Sequence, residues 1–114
     1  MKIRLIMTVE GLKSRIAIDI AENPGFQGSH DITRENVAEY LLEPFLETFV
    51  DFRSEKFECW VVLNEIPGGD GYLVVYNESE DLFGLGTKTS LISKEHGLLI
   101  AFYGPSFVDA IENM

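Results

Sequence analysis

Cysteine is nearly absent. Cys59 stands alone in 114 residues, so no intramolecular disulfide can staple the chain and nothing calls for an oxidising compartment. Histidine is almost as scarce, with His30 and His96 only. No His-x-x-x-His, Cys-x-x-Cys or calcium-loop spacing occurs, so the pattern offers neither a metal site nor a cofactor signature. No apolar run approaches the length of a membrane span, and the N-terminal Met1-Lys2-Ile3-Arg4-Leu5-Ile6 lacks a signal-peptide core and cleavage site. A cytoplasmic location is the expectation. Positive charge is also short: 9 Lys and Arg face 19 Asp and Glu, a net −10. The deficit is local, because residues 35–81 hold twelve acidic groups against Arg53 and Lys56 alone. A field of that sign repels nucleic acid and anionic lipid, and it favours basic partners.

What is present is ordinary globular material, 46% hydrophobic and 25% charged, on a length suited to one domain, 1–114, with a core of its own. The stretch from Phe57 to Asn77 reads as two strands joined by the turn Pro67-Gly68-Gly69-Asp70-Gly71. Val61 with Val62, and Val74 with Val75, make these strands apolar on both faces, and such strands are usually covered on both. Leu98 to Tyr103 has the same character, and Pro105 can open a short helix carrying Phe107, Ile111 and Met114. Alternation over Ile3–Val9 and over Ile16–Ile20 predicts an N-terminal hairpin. The spacing of Val37, Leu41, Phe45 and Phe49, with Thr33 as cap, predicts a helix ending near Asp51–Ser54 that kinks at Pro44 or divides there into two short helices. Thr87–Ser93 fits a strand or a short helix, and its Thr, Ser and Ile favour the strand.

The resulting order is β-β-α-β-β-(β)-β-α. It describes an α+β domain: an antiparallel sheet of five or six strands, one long helix on one face, and a short C-terminal helix. That last helix is too short to cover the second face alone. A homodimer through the apolar sheet face, or a partner, is therefore expected to cover it.

Few residues invite chemistry. On the expected helix, Glu35, Glu39, Glu43, Glu47 and Asp51 form an unbroken i, i+4 ridge of carboxylates opposite the core face. Its four like-charge pairs oppose the helix by roughly 1–2 kcal/mol before screening, and it reads either as a solvated face of an acidic protein or, as the best functional candidate, a docking ridge for a basic protein surface. Gly84-Leu85-Gly86-Thr87-Lys88 resembles a phosphate loop only loosely, since Thr87 and not glycine precedes Lys88. Cys59, between Glu58 and Trp60, reads as a buried small hydrophobe, and His30 and His96 as loop imidazoles facing water. The run Glu78-Ser79-Glu80-Asp81 reads as a solvated loop. Glu58 and Glu65 lie some 23 Å apart along one strand, too far to act as an acid/base pair. No catalytic residues are assigned. The reading is a non-catalytic module that docks a basic partner, as an inhibitor, immunity protein, adaptor or chaperone would. The alternative is a small-ligand domain whose pocket, between sheet and helix, is lined by Trp60, Tyr72, Tyr76 and Tyr103.

Overall fold

Thr8 opens the first helix. Its extended backbone lets Oγ1 accept the Gly11 N–H at 2.9 Å, and α1 (Val9–Ala21) follows. In the computed structural model, which describes residues 7–28, 30–88 and 95–114, this segment replaces the second arm of the expected hairpin. The first arm falls largely on residues 1–6, outside the described residues. The reason for the difference is geometric. Leu12, Ile16 and Ile20 recur every fourth position, and Leu12 and Ile16 are buried while Ile18 is 54% exposed. Alternation was a by-product of a helical stripe.

The expected helix over residues 33–51 is absent too. Thr33 does cap a turn, with its N–H donating to Asn36 Oδ1 at 2.7 Å and its Oγ1 accepting from Asn36 N at 3.3 Å. Only a 3-10 helix, Val37–Glu39, comes of it. The chain then extends as β1 (Leu41–Val50). Thr48, Val50 and two phenylalanines favour a pleated strand, and Pro44 sits within the register shift between Leu41 and Phe45, where a missing ladder donor is tolerated.

The rest is an antiparallel meander of β2 (Lys56–Asn64), β3 (Tyr72–Asn77), β4 (Leu82–Thr87) and β5 (Gly97–Gly104). A short parallel pairing of β1 with β5, at Phe49 with Gly97 and Val50 with Leu98, closes the five strands into a barrel. The fold is α+β as the composition implied, a five-stranded sheet with one helix packed on it and a short C-terminal helix, although its order is α-β-β-β-β-β-α.

Closure answers the demand of the two-faced strands within the chain. Cys59, Val61, Leu73, Val75 and Leu99 point inward around Phe49 and form the barrel interior. Their neighbours Val62, Val74, Tyr76, Phe83 and Leu85 point outward and pack under α1 and α2 (Phe107–Glu112). A five-stranded barrel has little internal room, so small residues must alternate with large ones. A Cβ at Gly86 would lie 2.9 Å from both Leu98 O and Phe49 Cε1. Gly84 and Gly86 both lie within β4, and residues 89–93 of the expected later strand lie outside the described residues.

The C-terminal helix forms as expected from Phe107 and Ile111, both fully buried. Ser106 and Asp109 make a reciprocal capping box, and Asp19 Oδ2 of α1 accepts the Phe107 N–H at 2.9 Å. This joins the two helices over one face of the barrel. Among the described residues, no helix is long and apolar enough to cross a membrane.

Candidate functional site

Strand pairing puts Leu46 of β1 opposite Trp60 of β2, and Trp60 opposite Tyr76 of β3. Alternation along β2 sends Lys56 and Glu58 to the same outer face as Trp60. The β3–β4 turn then brings Glu78, Ser79 and Glu80 alongside, held by Asn77 Oδ1 accepting the Glu80 N–H at 3.2 Å and by Asp81 in the left-handed region, φ 56°. The result is a groove of about 440 Å³ with Leu46, Phe57, Trp60 and Met7 as its apolar floor and Glu58, Glu78 and Glu80 on its rim. Leu46 is 49% exposed there, a large apolar side chain left uncovered at the centre of a strand. Glu78 Oε1 accepts the Met7 N–H at 3.0 Å. Among the described residues, Glu58 and Glu80 make no ion pair.

Next to this groove, and sharing Met7 and Glu78 with it, lies a second recess with Arg15, Tyr76 and Asp81 in its wall. Arg15 of α1 stacks over the rings of Tyr76 and Phe83, with centroid distances of 5.2 and 5.4 Å. Its guanidinium donates to Asp81 Oδ1, to the Pro105 carbonyl, and to Tyr76 OH at 3.1 Å, while Tyr76 OH donates to Asp81 Oδ1 at 2.7 Å. Burial alone would raise the Asp81 carboxyl, but the bonds from Arg15 and Tyr76 outweigh it and hold Asp81 below its ordinary range. Burial, and then the bond to Asp81, push the Tyr76 hydroxyl up to about 12.

The five carboxylates proposed as a ridge do not stack. Glu35 lies in the turn before the 3-10 helix, Glu39 within it, Glu43 and Glu47 on β1, and Asp51 after the strand. In a strand, a spacing of four puts side chains roughly 13 Å apart rather than the 5–6 Å of a helix turn, so their mutual repulsion is small. Glu43 is paired with Lys13 of α1 at 3.1 Å. Asp51 Oδ1 accepts the N–H groups of Arg53 and Glu55, each at 2.9 Å, and so shapes the β1–β2 turn. Glu47 faces a different cleft, at the barrel mouth beside Phe45 and Lys88.

Nor do the four aromatics share a pocket. Trp60 floors the groove, Tyr76 is buried under Arg15, Tyr72 meets the His30 ring edge-on at 5.8 Å, and Tyr103 is exposed on β5. The space between sheet and helix, where a ligand pocket was expected, is filled by side chains of the outer core. His30 does not simply face water: its Nδ1 pairs with the Glu65 carboxylate, whose Oε1 accepts the Tyr72 N–H at 3.1 Å. Cys59 is walled inside the barrel, and burial, followed by the nearby Glu58 charge, pushes its thiol up to about 12. It is a packing residue and no nucleophile at neutral pH. Among the described residues, no three His, Cys, Asp or Glu side chains are grouped to hold a metal ion.

The acidic rim was legible as a polar run, and Trp60 as an aromatic on a strand. Their meeting was not, because it depends on the Trp60–Tyr76 register and on the tight turn after Asn77. No protein-family model, curated protein or solved structure matches this chain.

Proposed function

We propose that this chain is a non-catalytic protein-binding module that docks a basic partner, and that the Trp60 groove is where the partner sits. One observation carries the reading: an uncovered apolar floor is rimmed by carboxylates that make no ion pair among the described residues, the lining Lys56 included. Apolar floor supplies contact area, and uncompensated charge of one sign selects partners of the other. The wider acidic run, Glu35, Glu39, Glu43, Glu47 and Asp51, then contributes long-range attraction rather than a contact ridge, raising the encounter rate at low salt.

A test must separate a site from a merely acidic protein. The probe is a short synthetic peptide with arginine and leucine spaced by glycine, its affinity measured by calorimetry at low and moderate salt. Reversing Glu58 and Glu80 to lysine should weaken binding at least about tenfold, the loss expected when rim charges and the floor they frame act together. Reversing Glu22 and Asp70, both exposed and outside the groove, changes net charge equally and should cost little beyond general screening. Equal losses from the two pairs would reduce the effect to overall charge, and the docking reading would fall.

A further inference from the structure

The two recesses beside Glu78 are walled alike, by a strand aromatic and carboxylates, and they differ in whether a guanidinium of the chain covers the aromatic. In one, an aromatic of β3, Tyr76, lies under a guanidinium that is also bound by the carboxylate of Asp81. In the other, the cross-strand neighbour of Tyr76, Trp60, lies beside the carboxylates of Glu58, Glu78 and Glu80. In the first, the ring is covered by the chain's own Arg15. The second holds no arginine among the described residues, and its lining cation, Lys56, makes no ion pair there. From this pairing we infer that the Trp60 groove is a seat for one arginine side chain of the partner, stacked on the indole and bound at its edge by Glu58 and Glu80.

This inference rests on the basic-partner reading and sharpens it to a single anchor. Arginine fits better than lysine for physical reasons. A guanidinium is planar, stacks on an indole face, sheds water more readily than an ammonium, and still presents N–H donors at its rim to carboxylates. Indole is the best aromatic partner for a cation. The partner segment carrying the arginine would be extended or a loop tip, since the groove has an apolar floor only a few side chains wide, Leu46, Phe57 and Met7.

Trp60 is the single tryptophan of the chain, so its emission reports on this seat directly. The experiment titrates the full chain with hexa-arginine, hexa-lysine and hexa-citrulline, reading Trp60 fluorescence and, in parallel, the anisotropy of dye-labelled peptide. Hexa-arginine should change the emission saturably, at a half-saturation roughly tenfold below that of hexa-lysine, and neutral hexa-citrulline should do nothing. Glu58→Gln with Glu80→Gln, two exposed positions whose exchange should leave the circular dichroism spectrum unchanged, should raise the hexa-arginine half-saturation roughly tenfold. Anisotropy binding with unchanged Trp60 emission, or equal half-saturation for lysine and arginine, would overturn the seat while leaving a charge-driven docking surface in place. Absence of binding by either cationic peptide at low salt would overturn the seat and the basic-partner reading together.

Discussion

Phe49→Ala should destabilise the domain by about 3–5 kcal/mol, the usual cost of emptying a fully packed aromatic site. Phe49 is 0% exposed, it closes the barrel against Gly97, and the inner cluster is arranged around its ring. The cavity cannot be refilled by collapse, because the strands around it are tied to one another by backbone ladders. The complementary overpacking experiment probes the same fit from the other side. Gly86→Ala alone should cost about 1–3 kcal/mol through contact with the Phe49 ring and the Leu98 carbonyl. Combined with Phe49→Leu, which withdraws the ring, part of that cost should be recovered, giving a favourable coupling of about 1 kcal/mol between the two sites. Urea unfolding followed by Trp60 emission measures all three. A cost under about 1 kcal/mol for Phe49→Ala would mean that its ring does not fill the barrel.

Arg15→Met should cost about 1.5–3 kcal/mol, the range for charge-assisted hydrogen bonds, with the methionine keeping the apolar stem in place. The figure is held at that range because the Asp81 carboxylate is 58% exposed and solvent screens part of the pair. Arg15 ties α1 to β3, to the β3–β4 turn and to the carbonyl just ahead of α2, so its loss strips partners from three elements at once. A pH signature accompanies it. The Asp81 carboxyl is depressed in the folded state, so its contribution is present at neutral pH and is lost as pH falls through the lowered value. The Tyr76 hydroxyl is raised, so its contribution is present below the ordinary tyrosine range and is lost as pH rises toward about 12. Denaturant midpoints taken from neutral to acid pH should therefore fall more steeply in the parent than in Arg15→Met. Parallel curves, or a cost under about 0.5 kcal/mol, would mark Arg15 as an ordinary surface pair.

Sequence patterns read the centre of this fold well and its first half poorly, for one physical cause. A spacing of four residues returns to the same side of a helix and to the same side of a strand. Leu12, Ile16 and Ile20 share that spacing with Phe45 and Phe49, yet the former lie on α1 and the latter on β1. In α1 the intervening Ile18 imitated strand alternation, and in β1 Leu42 and Leu46 imitated a wide helical face. Composition could have separated them, since Ala17, Ala21, Lys13 and Arg15 suit a helix while Pro44, Thr48 and Val50 suit a strand. The central hairpin, β5 and α2 were legible because both strand faces were apolar or because Pro105 and the Phe107–Ile111 spacing left one choice. For the site, Trp60 was legible as an aromatic worth attention. The carboxylates of Glu78 and Glu80 were legible as a polar run, but their meeting with Trp60 was not, because it comes about only through a turn and a cross-strand register.

The barrel seam has a bearing on how the molecule assembles. β2, β3 and β4 are joined by short connections and can pair early, at little loop-closure cost. The parallel contact of Phe49–Val50 with Gly97–Leu98 joins segments nearly fifty residues apart through two register pairs among the described residues. Such a contact is slow to form and first to open. Amide hydrogens along β3 and β4 should therefore exchange only by global unfolding, while those at the seam exchange faster through local opening, and uniform protection would contradict this order of events. The Trp60 groove takes only Leu46 from β1, which stays paired with β2 when the seam opens, and the rest of its lining from β2, the end of β3 with the β3–β4 turn, and Met7, so its shape is set before the last step of folding.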